Sequence, residues 1–382
     1  MRTDRLRERF AELRAPDEEQ AQERSWRIVQ AAFAERDPIS RRRPMLRPAL
    51  ALVALAAIGA ALASPPGRAV LNSVRKAVGV ERSKPALFSL PAQGRLLATS
   101  SAGSWVIADD GSKRLLGAFD EASWSPFGHF VVASRPNELV ALTPDGTVRW
   151  KLARPDVRFP RWGGTLTDTR IAYLSGSRLH VVAGDGTGDV DAGGLPAAAP
   201  VAPAWQPGPG HVLAYATTSG RVYLYDPDAG SLRWRSAPYP HPRELLWSAG
   251  GKRLLLVTRD KLVLFAADQP KPIAVRFTRG VVDAAFAPRG SRIALLRRNE
   301  LLLLDADRLR GRPERAFAGA GRFDAVAWSP NGRWLLVTWP DADQWVFVGA
   351  AGRHRLDAVS NISGQFEGGF PTLEGWCCAS GS

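Results

Sequence analysis

The residues best equipped for chemistry recur at a fixed distance from aromatic side chains. Asp120 and Glu121 stand four and three residues before Trp124, and Arg243 and Glu244 stand likewise before Trp247. Arg158 precedes Trp162 by four, Asp324 precedes Trp328 by four, and Asp283 precedes Phe286 by three. Acids and bases gathered at one level make a mixed-charge surface that suits a polar ligand or a peptide. The signals for other chemistry are weaker. His129, His180, His211, His241 and His354 do not fall at metal-ligand spacing with one another or with a carboxylate. No G-x-S-x-G, Walker A or H-E-x-x-H stretch occurs, so the sequence names no catalytic residue. Asp185, Asp189 and Asp191 alternate with small residues as calcium ligands do, but the distal Glu is missing and Asp185-Gly186 reads as hairpin chemistry. The two cysteines, Cys377 and Cys378, are adjacent. They exclude a cysteine zinc site of ordinary spacing and offer a vicinal disulfide, a clip near the terminus, in an oxidising compartment. Neither a metal nor a cofactor is expected.

The elements that must position these residues come from an internal repeat. An aromatic, a small residue, Pro, any residue and Gly precede an apolar run in Trp124-Ser-Pro-Phe-Gly128 and Trp328-Ser-Pro-Asn-Gly332. Phe286-Ala-Pro-Arg-Gly290 and Trp247-Ser-Ala-Gly-Gly251 are close copies; the phrases at Trp205, Trp162 and Leu90 are looser. The anchors 90, 124, 162, 205, 247, 286 and 328 are spaced by 34 to 43 residues. A second apolar run follows each, such as Leu139-Val-Ala-Leu142 and Leu262-Val-Leu-Phe265, and then an Asp-Gly type of turn. Four short strands in about 40 residues form a unit whose apolar faces only its neighbours can cover. The expected fold is therefore an all-β propeller of seven four-stranded blades over residues 85–358. Six blades result if the first unit shares its strands with the tail, residues 359–382, which is expected to supply a closing strand.

The Trp-Ser-Pro-x-Gly phrase resembles the WD40-like repeat of TolB-like bacterial propellers, best at Trp124–Gly128 and Trp328–Gly332. Val222 to Trp234 resembles a quinoprotein-like repeat. Some quinone-dependent dehydrogenases of that architecture carry a vicinal cysteine pair beside the cofactor, although their metal site has no counterpart here. These resemblances imply the fold and leave function open, because propellers host binding modules, scaffolds and enzymes alike.

Ahead of the repeats, residues 1–47 carry 12 Arg against 9 acids, with an apolar stripe of Trp26, Val29, Ala32 and Phe33 at helical spacing. Residues 48–67 carry no charge and read as a transmembrane helix, short and Ala-rich. Arg41, Arg42, Arg43 and Arg47 before it place the N-terminus in the cytoplasm and the propeller outside a bacterial cell. The rival is a cleaved signal peptide ending at Ala61-Leu62-Ala63, against which stands the length of the preceding segment. Residues 68–84 are expected to be an amphipathic linker helix. The net charge of +14 comes from Arg spread through the repeats, the composition of GC-rich coding, and no nucleic-acid partner is expected. Three functions follow. The first is a non-enzymatic, membrane-tethered module that binds a protein or polar ligand. The second is an anti-sigma-like regulator whose residues 1–47 engage a cytoplasmic partner. The third is a propeller enzyme, quinoprotein or hydrolase.

Overall fold

The middle strands of each repeat have no polar face, and this dictates the architecture. In the computed structural model, which describes residues 80–84, 89–309, 311–367 and 369–378, Leu254, Leu255, Leu256 and Val257 are all buried. Leu254 and Leu256 pack toward blade 4, while Leu255 and Val257 pack toward Ile293 and Leu295 of blade 6. Each such side chain contributes about 1.5–3 kcal/mol when buried, and a blade gains this on both faces only between two neighbours.

Seven sheets result, each built on four antiparallel strands, and the seventh gains a fifth, parallel strand at its outer edge. Blade 2 shows the order, from inner strand to outer: Glu121–Trp124, Val131–Arg135, Glu138–Leu142 and Val148–Ala153. The inner strands of blades 3 to 7 are Val157–Gly164, Ala204–Trp205, Pro242–Trp247, Val281–Phe286 and Val326–Trp328. Each packs against the next. Thr372–Cys377 packs against both Val326–Trp328 and Glu121–Trp124, which closes the ring.

The repeated phrase is the turn from inner to second strand. Its Ser oxygen accepts the amide of the residue five positions on: Phe130 to Ser125 at 2.8 Å, Arg253 to Ser248 at 3.1 Å, and Trp334 to Ser329 at 2.9 Å. Its Gly has φ of 68°, 77° and 70° at Gly128, Gly290 and Gly332, a region that costs a side chain and suits glycine.

Blade 1 draws on both ends of the propeller sequence. Its inner strand is Thr372–Cys377, paired with Arg95–Ser100. The expected closing strand is thus present, and seven blades form rather than six. The first anchor needs correction. Trp376 lies opposite Leu96 as Trp328 lies opposite Leu335, so Trp376 rather than Leu90 ends the inner strand. The boundary at 358 also moves, because the tail completes blade 1 instead of following the propeller. Val80–Lys84, at the end of the segment read as linker helix, is a strand parallel to Leu356–Ser360. The open edge of the outer strand of blade 7 offers it backbone partners that a helix there would leave unused. Residues 1–79, on which the expected cytoplasmic segment, the expected span and the Ala61-Leu62-Ala63 reading fall, lie outside the described residues. Among the described residues no helix is long and apolar enough to cross a membrane.

Ending the chain after Pro371 removes the inner strand of blade 1 and exposes the edge of Arg95–Ser100. The expected outcome is loss of the cooperative thermal transition followed by circular dichroism, with aggregation, whereas a chain ending at Cys378 retains it.

Candidate functional site

Each inner strand is an edge strand whose channel-side amides and carbonyls lack a partner strand. Side chains from neighbouring blades supply partners in both directions. Asp283 accepts the amide of Val326 at 2.7 Å, from blade 6 to blade 7. Glu121 accepts the amide of Phe159, from blade 2 to blade 3, and Glu244 reaches the amide of Ala284, from blade 5 to blade 6. The aromatic anchors reach back. The indole N–H of Trp205 donates to the Arg161 carbonyl at 2.9 Å, that of Trp247 to Ala204 at 3.0 Å, and that of Trp328 to Ala285 at 3.1 Å. The indole N–H groups of Trp124, Trp162 and Trp376 are buried without such a bond.

The acids read as part of a mixed-charge ligand surface therefore have structural partners as well. Glu244 and Asp283 are hydrogen-bonded to each other, and burial pushes both carboxyls up, with Asp324 adding repulsion to Asp283. The other residues of that level spread toward the rim. Asp120, Arg158 and Arg243 are exposed; Arg158 lies 4.8 Å over the Phe159 ring, and Arg243 donates to the Val281 carbonyl at 3.2 Å.

The larger cavity opens at the other end, where the inner strands finish. Its volume is about 740 Å³, within the range of small-molecule sites. Arg161 and Glu374 line its floor, Trp124 and Trp376 its wall, and Phe127, Arg289 and Asn331 its rim. The last three stand at the same place in their repeats, three residues beyond Trp124, Phe286 and Trp328. Arg161 draws down both Glu244 and Glu374, so it joins the two levels of the channel. Burial pushes Glu374 from the ordinary 4.5 up to about 7, with Arg161 and a bond from Thr99 opposing and Glu121 assisting. Cys377 and Cys378 are joined by a disulfide in the cavity wall. Gly128 abuts this pair and Arg95, where a methyl group would sit 3.2 Å from the Arg95 guanidinium and the Cys377 sulfur, and the Arg95 guanidinium donates to the Gly128 carbonyl at 2.6 Å. The pair is packed where blade 1 meets blade 2.

Sequence reading missed Arg161, Glu374, Phe127, Arg289 and Asn331. The signal for the last three was their shared offset from the anchors. Glu374 becomes legible only once Trp376 is recognised as an anchor. The three acids of the calcium reading go to separate partners. Asp185 caps the Thr187 turn, Asp189 binds Arg154 and Tyr173, and Asp191 binds Arg178. Among the described residues no cluster of three or more His, Cys, Asp or Glu could hold a metal ion. His211 is buried against Asp228 at 2.5 Å, and His354 bridges Gly349 and Glu314.

Fold and channel together define a seven-bladed β-propeller with WD40 propellers among its structural neighbours. The Cps50 (Swd1) β-propeller domain of Myceliophteria thermophila is similar over 70% of this chain and 95% of that one, at 14% identity and a TM-score of 0.53. Hydrazine synthase of Kuenenia stuttgartiensis is similar over 60% of this chain and 76% of that one, at 13% identity and a TM-score of 0.49. At such identities the likeness is one of fold. No family and no curated protein matches the sequence.

Two outcomes follow from the site. Trp328→Phe leaves the Ala285 carbonyl without its indole and should cost about 1 kcal/mol more in urea unfolding than Trp162→Phe, whose indole N–H has no protein acceptor. A carboxyl raised in the folded state stabilises the fold fully below its ordinary 4.5, and that contribution is lost as pH rises through about 7. Calorimetry from pH 4 to 8 should show the wild-type Tm falling more steeply than that of Glu374→Gln.

Proposed function

We propose that this chain is a membrane-tethered, extracytoplasmic binding module that takes a polar ligand or a protein segment at the channel mouth. The observation that carries the reading is the cavity of about 740 Å³ walled by the Cys377–Cys378 disulfide. Disulfides persist in oxidising compartments outside the cytoplasm, which agrees with a propeller beyond the span of residues 48–67. The lining combines Arg161, Arg289 and Glu374 with Trp124 and Phe127. That arrangement orients a ligand by charge and covers it with aromatic surface, which suits a binding module. Residues 1–47, with the stripe of Trp26, Val29, Ala32 and Phe33, then engage a cytoplasmic partner, in the manner of an anti-sigma regulator, and would carry occupancy of the propeller across the membrane.

Topology is tested with tags at the two ends of the chain in cells whose outer envelope is opened. External protease should remove the C-terminal tag and spare the N-terminal one. Maleimide should label Cys377 and Cys378 only after reduction. A C-terminal tag that survives, with cysteines that label without reductant, would place the propeller in the cytoplasm and sink the reading.

A further inference from the structure

The turns from inner to second strand and from third to fourth strand lie at one end of the propeller. Around blades 6 and 7 that end is basic. Arg289 lies in the turn after Phe286, Arg333 in the turn after Trp328, and Arg353 and Arg355 in the turn from Gly349 to Leu356; with Arg292 they are all exposed. Arg289, Arg292, Arg333 and Arg355 line a groove of about 340 Å³ together with Trp334, whose ring lies 5.8 Å from the Arg355 guanidinium. Glu314 lies among them, 2.9 Å from His354 and 3.5 Å from Arg292, and the acids Asp305 and Asp307 follow Leu304 at the same end.

Two further features mark the same end. Phe127 and Leu166, in the corresponding turns of blades 2 and 3, are 40% and 63% exposed. Phe127 projects from a backbone at φ 83°, a region bulky side chains rarely adopt. The second feature is where the chain joins the ring. Val80 pairs with Leu356 in a parallel ladder, so the polypeptide reaches blade 7 at this end, beside Arg355.

Guanidinium groups meet headgroup phosphates, a Trp ring settles at headgroup depth, and isolated apolar tips enter the acyl boundary. We infer that this end of the propeller rests on anionic lipid headgroups through Arg289, Arg333, Arg353 and Trp334. The inference rests on the tethered reading above. Arg289 also stands on the rim of the channel-mouth cavity, which then opens toward the same surface.

The test uses the full chain on nanodiscs of phosphatidylcholine alone or with phosphatidylglycerol, read by amide hydrogen exchange. Turns 125–128, 164–168, 330–334 and 350–356 should exchange roughly fivefold more slowly on the anionic discs, the factor expected from the headgroup attraction of about one arginine. High salt and the R289Q/R333Q/R353Q variant should abolish the difference. Turns 258–261 and 277–281, at the opposite end, should not respond. Equal exchange of the first set on both discs overturns the inference, as does protection of the opposite end. Equivalent protection by inorganic phosphate on neutral discs overturns it too, since the surface would then be a soluble-anion site. Carbonate extraction of native membranes judges the tether separately. Release of the chain with protection intact sinks the tether and leaves the lipid-facing surface standing.

Discussion

The structure depends on the fact that no blade can stand alone. Strands such as Leu254–Val257 and Leu301–Leu304 are apolar on both faces, so every sheet needs a neighbour on each side. A row of such sheets would end in two exposed apolar faces, and closing the row into a ring removes both. The closing strand Thr372–Cys377 makes the ring dependent on residues nearly three hundred positions from their partners in Arg95–Ser100. Stability is thus tied to a non-local pairing, and blade 1 does not exist until the C-terminal strand arrives.

Closure creates a second problem at the axis. Seven inner strands converge with their free edges toward a channel, and their amides and carbonyls must be satisfied without an eighth sheet. Anchor indoles reach to the preceding blade, and carboxylates three residues before the anchors reach to the next. Glu121, Glu244 and Asp283 thus hold blades together at the same level where they give the channel its charge. The upward push on the carboxyls of Glu244 and Asp283 follows from placing two such staples on adjacent blades, because burial and mutual repulsion both oppose ionisation there.

The opposite end of the channel is built on different terms. There the anchor turns put a left-handed Gly at the corner, three of them add a Ser oxygen, and the residue before the Gly is left to vary. That free position is Phe127, Arg289 or Asn331 according to blade, and together these residues frame the cavity over Arg161 and Glu374. Scaffold requirements fix the turn, and the residue before its Gly differs from blade to blade. The Cys377–Cys378 pair continues the closing strand into this wall, so the seam of the ring and the wall of the cavity are the same few residues.

Much of this was legible in the sequence. The repeat spacing, the Trp-Ser-Pro-x-Gly turns and the uninterrupted apolar runs all encode local geometry, and local geometry is written in contiguous residues. The same holds for the acids three residues before the anchors, whose place in the channel followed from the repeat. What the sequence could not assign is what the ring brings together from distant positions. Trp376 was hidden as an anchor because its partner strand begins at Arg95. Glu374 and Arg161 share a floor only because blades 1 and 3 flank the same axis. Val80–Lys84 became a strand because the outer edge of blade 7 was open, a fact about residues 356–360 rather than about its own side chains. The sequence by itself determined the blade, since every blade but the first is a run of consecutive residues obeying strand and turn chemistry. Only the tertiary structure decided the seam, the cavity and the basic end, because each is made of residues whose proximity arises from closing the ring.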